Sequence, residues 1–167
     1  MSAPHIPALL ILTVGIPGSG KTTWAKKYHS HHGAAVIVSN DEVRLEVTGY
    51  ADSAHVETEN HKDIYSAARV KVEQALADKK LVVIVDGTNV DLDEWEAYSK
   101  LAKKYNAILI AKLFNVPPPI AIHRIIERQD RMVPYPVLKR KWNTLLTNLP
   151  QITNYFSWID DGDFLSD

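Results

Sequence analysis

The 167-residue chain has no cysteine, only two methionines and only three phenylalanines. The lack of cysteine excludes disulfides, thiolate zinc sites and cysteine nucleophiles together, and it fits a reducing compartment. An excess of either charge is also missing: 19 Lys+Arg stand against 20 Asp+Glu, a formal net charge of −1. That balance excludes a protein that coats nucleic acid by bulk charge. It leaves room for a local basic groove, because only the field at a site steers its ligand. Long apolar runs are absent as well. The first, Ala8–Leu12, is too short for a membrane span, and no Lys or Arg precedes it as in a secretory signal. The expectation is a cytoplasmic protein with no membrane partner. With 46% hydrophobic and 23% charged residues there is material for a core. No repeat, linker or low-complexity stretch divides residues 1–167, which read as one domain.

Four apolar, β-branched-rich runs stand out: Leu9–Val14, Ala34–Val38, Leu81–Val85 and Ala107–Phe114. They are continuous rather than alternating, as befits strands covered on both faces. Helical patterns fall between and after them, over Thr22–His31, Val56–Asp78, Asp93–Tyr105, Pro117–Arg128 and Tyr135–Leu149. Acids open the third of these and Lys103 and Lys104 close it, matching the helix dipole. Strand and helix alternate, which predicts an α/β domain with a mostly parallel sheet of four to five strands, helices on both faces and right-handed crossovers. The segment Thr48–His55 reads as a loop and Asp160–Asp167 as a solvated tail.

The strongest signal is Gly15-Ile-Pro-Gly-Ser-Gly-Lys-Thr22, directly after a strand and opening a helix. The pattern G-x-x-x-x-G-K-[ST] in that context is a phosphate-binding loop. Gly15, Gly18 and Gly20 let the backbone wrap closely round phosphates, with Pro17, Ser19 and Thr23 completing the loop, and the helix N-terminus adds positive potential. Lys21 supplies a point charge for the β- and γ-phosphates, and the Thr22 hydroxyl is a ligand for Mg²⁺. ATP and Mg²⁺ are therefore the expected cofactors.

Three further constellations bear on the reaction. Ser39-Asn-Asp-Glu-Val-Arg44 follows the second strand, and strand C-terminal ends face the ligand crevice of such a sheet. Asp41 there can take the proton of an attacking hydroxyl, and Arg44, a turn later, can hold an anionic acceptor group. The same residues also make a good helix start, with Ser39 or Asn40 as cap. Asp86-Gly-Thr-Asn89 ends the third strand. Asp86 is a candidate for the Mg²⁺ site or the acceptor, with Thr88 and Asn89 beside it, although Asp-Gly is also ordinary turn chemistry. Third, Arg124, Arg128 and Arg131 recur at helical spacing before Met132-Val-Pro134. Six basic residues stand against Glu127 and Asp130 between Ile120 and Leu145. The segment 118–134 therefore reads as a helical lid able to place guanidinium groups on ATP phosphates, with a solvated helix face as the plainer alternative.

Taken together, Leu12–Ala25, Asn40–Arg44, Asp86–Asn89 and Leu113–Pro117 leading through Arg124 and Arg128 to Val133-Pro134 and Val137-Leu138 resemble the kinase domain of phage-type polynucleotide 5′-hydroxyl kinases, in the P-loop kinase superfamily. The stretches occur in family order over roughly residues 9 to 146. The resemblance implies a P-loop three-layer sandwich and transfer of the ATP γ-phosphate to the 5′-hydroxyl of DNA or RNA ends, as in phage-encoded end repair. It implies Asp41 as general base, Arg44 on an acceptor phosphate, Lys21 and Thr22 on ATP·Mg²⁺, and Arg128 as the catalytic lid arginine. The sequence departs from the family in two places: the acid is Asp86 with Gly87 directly before Thr-Asn, and Asn40 stands where a basic residue precedes the base. No Asp-x-Asp-Gly-Thr phosphatase motif follows, so no 3′-phosphatase activity is expected of this chain.

Two other readings compete on the residues alone, since fold does not fix substrate. One is a kinase of a small metabolite or nucleotide-sugar, zeta-toxin-like, which a deep closed acceptor pocket would favour. The other is a non-catalytic nucleotide-binding module, against which the base and arginine candidates argue.

Overall fold

In the computed structural model residues 4–50, 58–129 and 132–162 are described. Strand β1 (Leu9–Val14) leads into helix α1 (Lys21–His31), followed by β2 (Ala35–Ser39), α2 (Asn40–Thr48) and α3 (Thr58–Ala77). Then come β3 (Val82–Asp86), α4 (Leu92–Lys104), β4 (Ile108–Leu113), α5 (Pro118–Glu127) and α6 (Tyr135–Asn148), and a 3₁₀ segment (Leu149–Asn154) runs into β5 (Trp158–Asp160). The strands form one five-stranded parallel sheet in the order β2-β3-β1-β4-β5.

The continuous apolar runs have the two-sided burial expected of them. Leu10, Leu12 and Val14 point to one face and pack with Ala68 and Val72 of α3 and Trp95, Tyr98 and Ala102 of α4. Ile11 and Ile84 point to the other, beneath Trp24, Ala25 and Tyr28 of α1. Helices therefore cover both faces, the three-layer arrangement read from the sequence. A third cluster joins Ile16, in the phosphate-binding loop, to Ala121 and Ile125 of α5 and Leu138 of α6. It fixes the loop against the two C-terminal helices.

The structure corrects the sequence reading at two places. Residues 40–48, placed only as a helix start, form a full helix: the Ser39 side chain accepts the Glu42 N–H (3.3 Å) and Gly49 closes it. Of the loop expected at 48–55, residues 51–55 lie outside the described residues. The solvated tail begins later than Asp160, which belongs to β5 and pairs in register with Lys112 of β4. Lys112 is buried to 1% exposure. Its Nζ donates to the Gly162 carbonyl (2.7 Å), lies 3.6 Å from Asp160, and sits over the Trp24 and Phe114 rings. A buried ammonium needs such partners, and here they tie the C-terminal segment to the sheet. Residues 163–167 of the expected tail lie outside the described residues.

Among the described residues no helix is long and apolar enough to cross a membrane.

Candidate active site

The sheet register brings the chemistry-bearing residues to one edge. Ser39 pairs with Asp86, so Asn40-Asp41 and Gly87-Thr88 leave neighbouring strands side by side. Thr13, the next-to-last residue of β1, fastens the third strand's end: its hydroxyl donates to the Gly87 carbonyl (2.8 Å) and accepts the Gly87 N–H (3.0 Å). The Gly15 N–H donates to the Thr88 carbonyl (3.0 Å). The start of the phosphate-binding loop and the Asp86 turn are thus one rigid unit.

The loop is built around glycine geometry. Gly18 has φ +80°, a left-handed conformation open to glycine. A Cβ there would lie 2.7 Å from the Ala121 carbonyl oxygen and 2.9 Å from Ile125 Cγ1. At Gly15 it would lie 2.8 Å from Ser19 Oγ. We expect Gly18→Ala to weaken ATP binding about tenfold or more, since such strain costs ~1–3 kcal/mol. A calorimetric titration of the variant with ATP checks this.

Lys21 is 8% exposed. Its Nζ donates to the Ile16 carbonyl (2.7 Å) and lies 3.4 Å from Ser19 Oγ. Burial pulls its pKa down to about 8, against the pull of Asp86 and Asp41, which favour the charged form. The Thr22 hydroxyl donates to Asp86 Oδ2 (2.9 Å). Burial pushes the Asp86 carboxyl up, opposed by that hydrogen bond and by Lys21. The oxygens of Thr22 and Asp86 form a hard donor pair of the kind Mg²⁺ prefers, beside an ammonium that has no carboxylate in salt-bridge contact among the described residues.

Asp41 is half-exposed (52%) and pairs with Arg44, whose side chain is only 13% exposed. The two departures noted in the sequence turn out to be one feature. A Cβ at Gly87 would collide with the Asn40 amide, so the small residue at 87 and the short amide at 40 fit each other. Asn40 is 6% exposed.

The model of the AAA domain family matches residues 10–152. The chain belongs to that family. This AAA domain is also similar, at 24% identity over 96% of its length, to a candidate bifunctional polynucleotide kinase/RNA ligase of Autographa californica nuclear polyhedrosis virus. Among solved structures it superposes on a chain of the Pnkp1/Rnl/Hen1 RNA repair complex with a TM-score of 0.75, at 24% identity over 89% of the domain. It superposes on a chain of the PezAT toxin-antitoxin system of Streptococcus pneumoniae with a TM-score of 0.69, at 19% identity over 94%. The chain spans 23% of the viral relative, 47% of the repair-complex chain and 68% of the PezAT chain. At these identities the superpositions show the fold.

Within this AAA domain, Arg124 is the arginine that meets the phosphate-binding loop: its Nη1 donates to the Ser19 carbonyl (3.4 Å). Arg128, expected as the lid arginine, caps the C-terminal end of α5 and is exposed, and no contact joins it to the loop among the described residues. A helical spacing of four carries Arg128 a full turn beyond Arg124, away from Ser19. Arg131 lies outside the described residues. His123 pairs with Glu127 on the exposed face.

Asn89 differs from its expectation as an acceptor contact. It is 4% exposed, with φ +46°. Its amide N–H groups go to the Thr13 (2.8 Å) and Val85 (3.2 Å) carbonyls, and its own carbonyl accepts the Trp95 indole N–H (2.6 Å). The amide is committed to holding the turn. Asn89→Ala is expected to cost about 1–3 kcal/mol by taking its donor from the buried Thr13 carbonyl, seen as a lower urea midpoint. Thr88 is half-buried, two residues beyond Asp86 in the chain. Sequence reasoning passed over Lys141 of α6, whose charge acts on Lys21 and on the Asp41–Arg44 pair. The signal lay in its spacing from Leu138 and Leu145, which places it on the helix's inner side.

Proposed function

We propose that this domain transfers the γ-phosphate of ATP to the 5′-hydroxyl of a nucleic-acid strand. What supports the reading is that two groups of polar residues, a donor half and an acceptor half on this reading, stand at the C-terminal ends of neighbouring strands. Lys21, Thr22 and Asp86 form the donor half, and Asp41 with Arg44 forms the acceptor half. The loop N–H groups, Lys21 and Arg124 cradle the triphosphate; Lys21 balances charge that builds on the transferring group. Thr22 and Asp86 would hold Mg²⁺, which would supply further neutralisation of phosphate charge. Asp41 accepts the proton of the incoming hydroxyl, and Arg44 fixes that hydroxyl by gripping the neighbouring phosphate of the strand. Arg128 joins the site only if α5 shifts on ATP binding.

The half-exposed position of Asp41 supports a polymeric acceptor over a small one, since the base is reached from an open surface. So does the likeness to a viral relative described as a polynucleotide kinase/RNA ligase. The test is a panel of acceptors with γ-labelled ATP. A 5′-hydroxyl oligonucleotide is expected to outcompete a free nucleotide-sugar. Label on the nucleotide-sugar alone would replace this reading by the small-acceptor one.

A further inference from the structure

Helix α6 carries a charge on its buried side. Leu138 and Leu145 are fully buried and Asn148 is 8% exposed, its Nδ2 donating to the Val90 carbonyl (2.8 Å). Lys141 falls in the same stripe at helical spacing, half-buried. Among the described residues it makes neither a hydrogen bond nor an ion pair. Asp91, Asp41, Arg44 and Arg140 are the charged groups that act on it. Burial lowers its pKa, helped by Arg140 and Arg44 and opposed by Asp91 and Asp41. A partly buried, unpaired ammonium costs stability unless an anion completes its surroundings. Its neighbours are the acceptor-side residues, and Asp91, at the start of α4, makes no side-chain capping bond to its helix.

The adjoining face of α6 lines an open groove of about 500 Å³, with Lys139, Arg140, Asn143, Thr144, Thr147 and Asn148 on its wall. With Pro136, cations and neutral hydrogen-bonding groups make up that wall, and no carboxylate is among the described lining residues. Lys141 follows Arg140 of this wall on the same helix, and its charge interacts with Asp41.

We propose that Lys141 binds a phosphodiester of the acceptor strand beyond the one gripped by Arg44, and that the strand leaves the site along this face of α6. The inference rests on the polynucleotide reading and names where the polymer lies. A polymer-binding role has a recognisable signature. It favours acceptors of several nucleotides over a nucleoside 3′-monophosphate, which has a single phosphate for Arg44.

The experiment compares wild type, Lys141→Met and Lys141→Arg on two acceptors, a 5′-hydroxyl strand of about 12 nucleotides, within the span single-stranded sites cover, and a nucleoside 3′-monophosphate. RNA and DNA strands are both tried. Strand binding is followed by fluorescence anisotropy over a salt series, and Tm by calorimetry. For Lys141→Met, the kcat/KM ratio of strand to monophosphate is expected to fall about tenfold, and the slope of log Kd against log salt to shrink by about 0.7, the value of one phosphate contact on a single strand. Tm is expected to hold or rise, because an unpaired buried charge is gone, and Lys141→Arg restores most of the ratio. An unchanged ratio and slope overturns the proposal, as does a fall in Tm that accounts for the kinetic loss. If wild type phosphorylates neither acceptor, the kinase reading falls while the anisotropy arm still decides. Strand affinity lost in Lys141→Met, with ATP affinity kept, upholds the groove; affinity unchanged sinks it.

Discussion

Asp41→Ala is expected to slow phosphoryl transfer by about 10²–10⁴-fold, the usual contribution of a positioned general base, while the protein still binds ATP and still folds. Asp41 is half-exposed at the start of α2, where the Ser39 hydroxyl already accepts the Glu42 N–H. Removing it takes the ion-pair partner from Arg44, whose side chain is largely buried, so stability is expected to fall by about 1–3 kcal/mol. Single-turnover transfer, beside a thermal melt and an ATP titration, separates these effects. A variant that transfers at the wild-type rate would remove Asp41 from the chemistry and leave it as a helix-start residue.

The second large effect is expected at Lys21, with opposite signs for activity and stability. Lys21→Met should reduce transfer by about 10³-fold, since it removes the fixed cation from the phosphates. It should also raise the stability of the ligand-free protein. The folded-state pKa of Lys21 is about 8, against 10.5 for the unreacted side chain. Between those values the unfolded chain binds the proton and the folded chain does not, so wild-type stability rises with pH from about 8 to about 10.5. Below pH 8 the buried ammonium is a full burden. Its removal is expected to add about 1–3 kcal/mol at neutral pH, or roughly 2–4 °C in Tm per kcal/mol for a domain of this size. The variant's stability should lose the alkaline rise. If Lys21 served mainly to satisfy the Ile16 carbonyl, the same substitution would lower Tm instead, and differential scanning calorimetry at pH 7 and pH 9.5 tells the two apart.

The parts of this molecule that were legible in its sequence are those set by local pattern. The four apolar runs are strands because continuous β-branched segments suit a sheet buried on both faces, and β1 has the bounds read from the sequence. Asp41 and Asp86 stand out as candidates because one closely follows a strand and the other ends one, in a chain that already has a phosphate-binding loop. Features set by tertiary register were not legible. Strand β5 has three residues and an exposed Trp158, and it exists because β4 offers an open edge and Lys112 anchors Asp160 and Gly162. The fit of Asn40 to Gly87 appears only once Ser39 and Asp86 are seen to pair. Arg124 and Arg128 share a helix and a spacing, and only the packing of Ala121 and Ile125 on the loop selects Arg124 to meet Ser19. Lys141 sat within a run of three cations, where a solvated face is the ordinary reading. Its inward direction follows from the burial of Leu138 and Leu145.

The central claim is that an ATP-binding half and a hydroxyl-activating half face each other on a surface open to a polymer end. The most direct measurement incubates the protein with γ-labelled ATP, Mg²⁺ and matched oligonucleotides carrying a 5′-hydroxyl or a 5′-phosphate, and locates the label by digestion to terminal nucleotides. The account predicts label at the 5′ terminus of the first strand and none on the second. Label on both strands, or on neither while ATP is bound, would contradict it.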